Sequence, residues 1–440
     1  GLFFILVFFH ANHPLNSDEG VILNGAWNLM NNRQLYVDFF EFVPPGSFYL
    51  IFWLWKIFGV SYFIAKFFSV VIVFLSSIGI YKISQEISKN RLNYFPPLIF
   101  IISSIYWPII NYNTFNIVFI IWAIYFFVKG LSNYSDKNFI ISGLLTGLSI
   151  LFLQQKGIIL LFILFSFLLI LFFKEKKYKL LKLNFYFFIF SFLPLLFLLK
   201  WPLKILYEDL IIFPLFNYTE TCSISLYLFV FFLFVLLLII WLLRKEKNKK
   251  IWLLIYAQFF LLISATLRAD FYHISLILFP LHSLLPASWE KIKFFNLLTK
   301  SYFRLIILVS ILIIIFPSIL ILNYYPLLFS SIQKNKIISY VKENCPGKYI
   351  YVGPFIPGIY FETKKLNPTQ NSFLITNQQT KKQFLEAKKA LEKYQPSCAV
   401  LNYQIVAKFK HNKNNLVDNY ILDNYKFIFQ EGNCLVYKIN

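Results

Sequence analysis

The chain has 440 residues, of which 58% are hydrophobic, 21% aromatic and 14% charged, with a formal net charge of +22 and a mean hydropathy of +0.64. Soluble domains are roughly 45–50% apolar and about 25% charged, so an ordinary soluble globular protein is excluded. The positive charge does not point to nucleic acid: the lysines gather in short clusters between apolar runs, as membrane topology signals do.

In chain order, the apolar runs are continuous rather than alternating, so they read as membrane helices, because lipid offers no partner for free backbone groups. The expected spans are 1–9, 61–81, 94–110, 115–128, 139–153, 157–173, 183–199, 225–243, 251–267, 271–289 and 305–323. The first is too short to cross at about 1.5 Å per residue and reads as a truncated helix, since no charged n-region or cleavage site marks a signal peptide. The shorter apolar stretch 45–58, PGSFYLIFWLWKIF, reads as a helix lying in the interface, with a span of its own as the alternative. The expected fold class is therefore an α-helical polytopic membrane protein of about eleven spans, with interfacial helices in the first outer loop and a small C-terminal α/β domain.

Lys and Arg set the orientation. With the start of the chain inside, the inner loops carry 19 basic residues and the outer segments 6. The acids divide the other way, eight of 13 before residue 324 falling outside: Asp18, Glu19, Asp38, Glu41, Glu208, Asp209, Glu220 and Asp270. Cytoplasmic loops are Lys/Arg-rich, so the first loop is expected on the extracytoplasmic side of a bacterial plasma membrane. Residues 1–323 read as the membrane domain and 324–440, with 16 Lys, 7 acids and no span-length run, as an outer domain. Within it KYIYVG (348–353) and CAVLNY (398–403) read as strands. TKKQFLEAKKALEKY (380–394) reads as an amphipathic helix with Phe384, Leu385, Ala387 and Leu391 on one side, and YKFIFQEGNCLVYKI (425–439) as a hairpin turning at Glu431-Gly432-Asn433. All four cysteines, 222, 345, 398 and 434, lie in outer segments, where disulfides and buried thiols are both open readings.

The first outer loop, SDEGVILNGAWNLMNNRQLYVDFFEFVPPGSFYLIFWLWKIFG (17–59), holds Asp18, Glu19, Asp38 and Glu41. A carboxylate at the mouth of the membrane can accept the proton of an attacking hydroxyl without bearing the cost of charge at the bilayer centre. The bland alternative is that Asp18 or Ser17 caps a helix over 20–31. RADFYH (268–273) sets Arg268, Asp270 and His273 at the outer end of a span, as a phosphate partner or an interface anchor. In QQKG (154–157), Lys156 faces either an internal cavity or the headgroups by snorkelling. The uncharged loop 106–116, YWPIINYNTFN, suits sugar stacking and a membrane interface equally.

Together these segments resemble the C-type (GT-C) integral membrane glycosyltransferases, and most nearly the group of protein O-mannosyltransferases and the lipid A aminoarabinose transferase, family 39-like. The match lies in Asp18-Glu19 closing the first span, Tyr36-Val37-Asp38 about twenty residues on, Pro44-Pro45 with Tyr49, and Phe58-Gly59. The resemblance implies a sugar donor carried on a polyprenyl phosphate, an acceptor hydroxyl on a glycan, lipid or protein, inversion at the anomeric carbon, and Asp18 as the base, with Glu19 supporting the loop or the acceptor. Arg268, Lys156, Arg33 and His273 are the candidates for the donor phosphate, and Asp38, Glu41, Asp270 and Tyr49 for loop support or sugar contact. No cofactor, metal or nucleic acid is expected; the partners are the lipid-linked donor and membrane lipids. The absence of a GxGxxG fingerprint agrees with a lipid rather than a nucleotide donor. One departure stands out: the second acid expected in the next outer loop is missing from 106–116, leaving Glu208 or Asp209 to replace it. The competing readings are a flippase or transporter and a polysaccharide ligase or polymerase; the transporter is disfavoured by the lack of an internal repeat.

Overall fold

The computed structural model describes residues 2–11, 15–105, 107, 109–217, 226–266, 270–292, 297–329 and 336–440. Helices dominate, as continuous apolar runs require. Among the described residues, four helical runs are long and apolar enough to cross a membrane: Tyr62–Ile87, Tyr112–Asn133, Gln154–Glu175 and Tyr178–Lys200. The pair Phe271–Ile277 and Phe279–Ile292, bent by 56°, makes a fifth if it is one span. The other expected spans also appear as helices, Leu2–Ala11, Phe95–Ser104, Asp136–Phe152, Leu226–Leu243, Lys249–Ser264 and Leu297–Phe329. The chain is an integral membrane protein.

The chain divides into two compact units, each discontinuous in sequence. The first comprises residues 1–11, 66–199 and 222–325. Here helix Asp136–Phe152 packs on Tyr112–Asn133 and on Tyr178–Phe192. The GLLTGLS stretch explains the closeness: a methyl at Gly143 or Gly147 would collide with the carbonyl oxygen of Phe187 or Ser191. Small residues four apart let two apolar helices approach to backbone contact, the main source of packing energy where no water drives association. The 56° bend falls just before Pro280, and Gln258 Oε1 accepts from the Leu281 amide at 3.0 Å, satisfying a donor freed by the break.

The second unit comprises residues 12–65, 200–221 and 326–440, so the first loop folds together with the C-terminal segment. Its four strands are β1 (Tyr351–Gly353), β2 (Cys398–Leu401), β3 (Tyr425–Glu431) and β4 (Cys434–Ile439), in the order β1-β2-β4-β3. β1 runs parallel to β2, with Val352 opposite Val400; β4 is antiparallel to both β2 and β3. The expected strands, helix and hairpin are all present, the turn falling at Gly432 with φ +56°. Thr380 and Gln383 form a reciprocal cap on helix Lys381–Tyr394. Phe384, Ala387 and Leu391 enter the core, but Leu385 is 44% exposed, correcting its expected place on the apolar side. Its position lies one residue off the 3–4 spacing that the other three keep. Cys345 and Cys398 are disulfide-bonded across a separation of 53 residues, a loop whose closure is worth about 4 kcal/mol on the chain-entropy model. Cys434 is a free thiol, and Cys222 lies outside the described residues.

Candidate active site

Asp18 lies in the first turn of helix Ser17–Met30. The cap is Asn16, whose side chain accepts from the Glu19 amide at 2.8 Å, so neither Asp18 nor Ser17 serves as the cap. Ten of the helix's 14 residues are buried, on every face rather than along one broad apolar stripe. Phe48 of helix Gly46–Phe58 fills the space that a side chain at Gly25 would need. Glu19 is fully buried and accepts from the Tyr62 hydroxyl at 2.8 Å, which makes it an anchor for the helix.

Asp18 lines a cavity of about 450 Å³ together with Asn16, Glu362, Lys408 and Cys434; Phe355, Ile356 and Ile359 give it an apolar side. The cavity exists because helices Ser17–Met30 and Gly358–Thr363 cross at two glycines. A Cβ on Gly20 would come within 2.6 Å of the Gly358 amide nitrogen. Nearby, Trp27 Nε1 donates to the Lys365 carbonyl at 2.9 Å and Trp55 stacks on Phe361 at 4.8 Å. Glu362, Lys408 and Cys434 were missed in the sequence because they sit over 340 residues from Asp18, in a segment with no motif of its own.

The remaining loop candidates build the scaffold. Arg33 donates to Asn28 Oδ1 at 3.2 Å, to the Asn367 carbonyl at 3.0 Å and to the Asp38 carbonyl at 2.7 Å. Burial lowers its pKa, with nearby Tyr349 and Asp38 opposing the shift. It lines a different cavity from Asp18, of about 670 Å³, with Lys348, Tyr349, Lys389 and Lys393. Asp38 accepts from the Gln34 amide at 2.7 Å, and Tyr36, held at φ +65°, donates to the Val43 carbonyl at 2.7 Å. The Tyr-Val-Asp motif thus closes a strained turn. Tyr49 accepts from Lys200 Nζ at 2.9 Å. Asp209 belongs to a third cavity of about 350 Å³ with Glu208, Tyr36 and Phe213, so neither acid of that pair stands in the lining of the Asp18 cavity. Burial, with Glu208 adding to it, pushes Asp209 up to about 7.

Glu41 is fully buried and accepts from Ser372 Oγ at 2.6 Å. Burial pushes its carboxyl up to about 8, against the pull of that hydrogen bond. An unfolded glutamate titrates near 4.3, so the folded chain holds a proton that the unfolded chain releases. Stability from this group is full below about pH 4 and falls as pH rises to about 8. Glu41→Gln is expected to flatten that fall and to be the more stable form at pH 8, by an amount on the order of a few kcal/mol. Thermal unfolding of the purified protein at pH 5 and pH 8 checks it; an unchanged slope would mean Glu41 is ionised.

In unit 1, three segments that looked unrelated in the sequence meet. Lys156 is buried at the first turn of helix Gln154–Glu175 and donates to Asn113 Oδ1 at 2.9 Å. Thr114 bonds Tyr272 at 3.1 Å, and Trp107 donates to Ser275 at 2.8 Å. Asp270 caps its helix through the His273 amide at 2.9 Å and holds His273 Nδ1 at 2.8 Å. The Asn-rich loop thus turns its amides inward, with Asn111, Asn113 and Asn116 buried, and does not offer them as an open sugar platform. Arg268 lies outside the described residues. A buried cation that the sequence reading passed over is Lys66, 2% exposed inside helix Tyr62–Ile87; a lysine within an apolar run was the available signal.

Among known proteins, residues 43–201 match the model of the dolichyl-phosphate-mannose-protein mannosyltransferase family. No curated protein matches the chain by sequence. Among solved structures, ArnT from Cupriavidus metallidurans bound to undecaprenyl phosphate is similar with a TM-score of 0.62 and 11% identity, over 99% of this chain and 95% of that one. Its apo form gives 0.65 and 11%, over 98% and 96%. The Archaeoglobus fulgidus oligosaccharyltransferase, in complex with zinc and sulfate, gives 0.59 and 12%, over 100% of this chain and 73% of that one. The chain has the fold of the C-type membrane glycosyltransferases and is similar, within them, to ArnT and the protein mannosyltransferases.

Proposed function

We propose that the protein transfers a sugar from a polyprenyl-phosphate donor to an acceptor hydroxyl at the extracytoplasmic face of a bacterial plasma membrane. The observation that carries this reading is Asp18, a carboxylate relieved of capping duty by Asn16 and lining a cavity of about 450 Å³. In the proposed step Asp18 accepts the acceptor hydroxyl's proton as the oxygen attacks the anomeric carbon. The bond from that carbon to the phosphate oxygen breaks, the electron pair leaves with the polyprenyl phosphate, and the configuration inverts. The undecaprenyl phosphate seen on ArnT supports a lipid phosphate as leaving group. Lys156 with His273, and Arg268 of the same RADFYH segment, are proposed for the phosphate, since cationic donors stabilise charge as it develops there. The hydrogen-bonded positions of Arg33, Asp38, Glu41 and Tyr49 favour loop support for those four. No metal enters the proposed step. The outward orientation is supported by the basic-loop asymmetry and by the Cys345–Cys398 disulfide, which persists in oxidising compartments. Mass analysis of envelope glycans and glycolipids, with and without the intact gene, tests the reading. A sugar-sized mass lost on deletion and restored by the gene is expected; identical glycans would refute it.

A further inference from the structure

We infer that Glu362 binds the acceptor in the Asp18 cavity, so that the C-terminal segment supplies the second carboxylate that the outer loop 106–116 lacks. The inference rests on the function proposed above and names a further residue of that same site. Its basis is the helix crossing. Gly20 and Gly358 meet so closely that a Cβ at Gly20 would lie 2.6 Å from the Gly358 nitrogen. Asp18 is two residues before one glycine and Glu362 is one helical turn after the other, and both line the same cavity. Glu362 is partly buried, and among the described residues it makes no hydrogen bond or close ion pair. Burial raises its pKa, with Lys342 opposing the shift. A desolvated carboxylate that lines a cavity and makes no hydrogen bond is a site waiting for a donor. Asp18 is engaged by the hydroxyl that attacks, so Glu362 takes a second donor of the acceptor. The acceptor class that fits is one carrying a hydroxyl or amine beside the attacked hydroxyl, as glycans do. Lys408 at the rim of the same cavity cannot replace it, because an ammonium donates hydrogen bonds and accepts none.

The test uses the whole protein in membranes. Membranes of the deletion strain supply donor and unmodified acceptor, and their amount is varied against purified wild type, Asp18→Asn, Glu362→Gln and Glu362→Asp. Charge-assisted hydrogen bonds carry about 1.5–3 kcal/mol, so Glu362→Gln should raise the apparent KM for acceptor membranes about 10- to 100-fold, with kcat changed far less. Glu362→Asp should recover part of that loss, since it restores the charge on a shorter stem. A wild-type KM in Glu362→Gln, with Asp18→Asn inactive, overturns this inference alone. A loss confined to the amount of folded protein makes Glu362 structural and also overturns it. Equal transfer by wild type and Asp18→Asn overturns the reading of Asp18, and this inference with it.

Discussion

Asp18→Asn is expected to abolish sugar transfer, with the rate lowered at least 10²-fold and as far as about 10⁴-fold. The amide keeps the size and the hydrogen-bonding reach of the carboxylate but cannot take the acceptor's proton. The variant should fold, because the helix start is capped by Asn16 and the helix is anchored by Glu19 through Tyr62. Transfer to deletion-strain membranes, followed by loss of the sugar from its lipid donor, provides the measurement, with unfolding temperature as control. Transfer at the wild-type rate by a well-folded Asp18→Asn protein would remove Asp18 from the chemistry.

Gly20→Val carries the second largest expected effect. The added side chain meets backbone on the other helix, the Gly358 nitrogen at 2.6 Å and Cα at 3.0 Å from the Cβ alone, and backbone cannot rotate away. Overpacking of this kind costs about 1–3 kcal/mol and pushes the two helices apart. Because Asp18 and Glu362, on the two helices that meet there, line one cavity, the displacement also opens it. A misplacement near 1 Å can cost about 10²-fold in rate. Gly20→Val should therefore lose both thermal stability and transfer, whereas Leu385→Ala, at a residue 44% exposed, should lose neither. Paired unfolding and transfer assays decide it; normal transfer by Gly20→Val would show that the crossing does not hold the site.

The fold was legible in the sequence where one physical rule acts locally. An apolar run in lipid must satisfy its own backbone, so its helix can be read from composition without knowing its neighbours. The same holds for the turn at Gly432 and the end of helix Gly46–Phe58 at Gly59, φ +87°. Leu385 was misplaced because a stretch dense in apolar residues fits more than one helical face, and the partner surface chooses between them.

The site was legible only in its first half. Asp18 stood out because a carboxylate at the edge of an apolar run is costly and therefore conspicuous. For the second acid that loop 106–116 lacks, the sequence offered Glu208 or Asp209, and the structure sets that pair in a different cavity from Asp18. Lys156 had two readings, an internal cavity or the headgroups, and the loop asparagines two others, sugar contact or a membrane interface, and only packing could separate them.

By itself, then, the amino-acid order determined that this is a many-helix membrane protein with an acidic first loop and a mixed α/β tail, because hydrophobic length, charge clusters and turn residues act within a few neighbours along the chain. Tertiary structure alone decided that the tail folds into one unit with that loop and that Glu362 shares the Asp18 cavity. The last of these turns on two glycines, more than 330 residues apart, at which two helices touch at their backbones, a contact that no local pattern encodes.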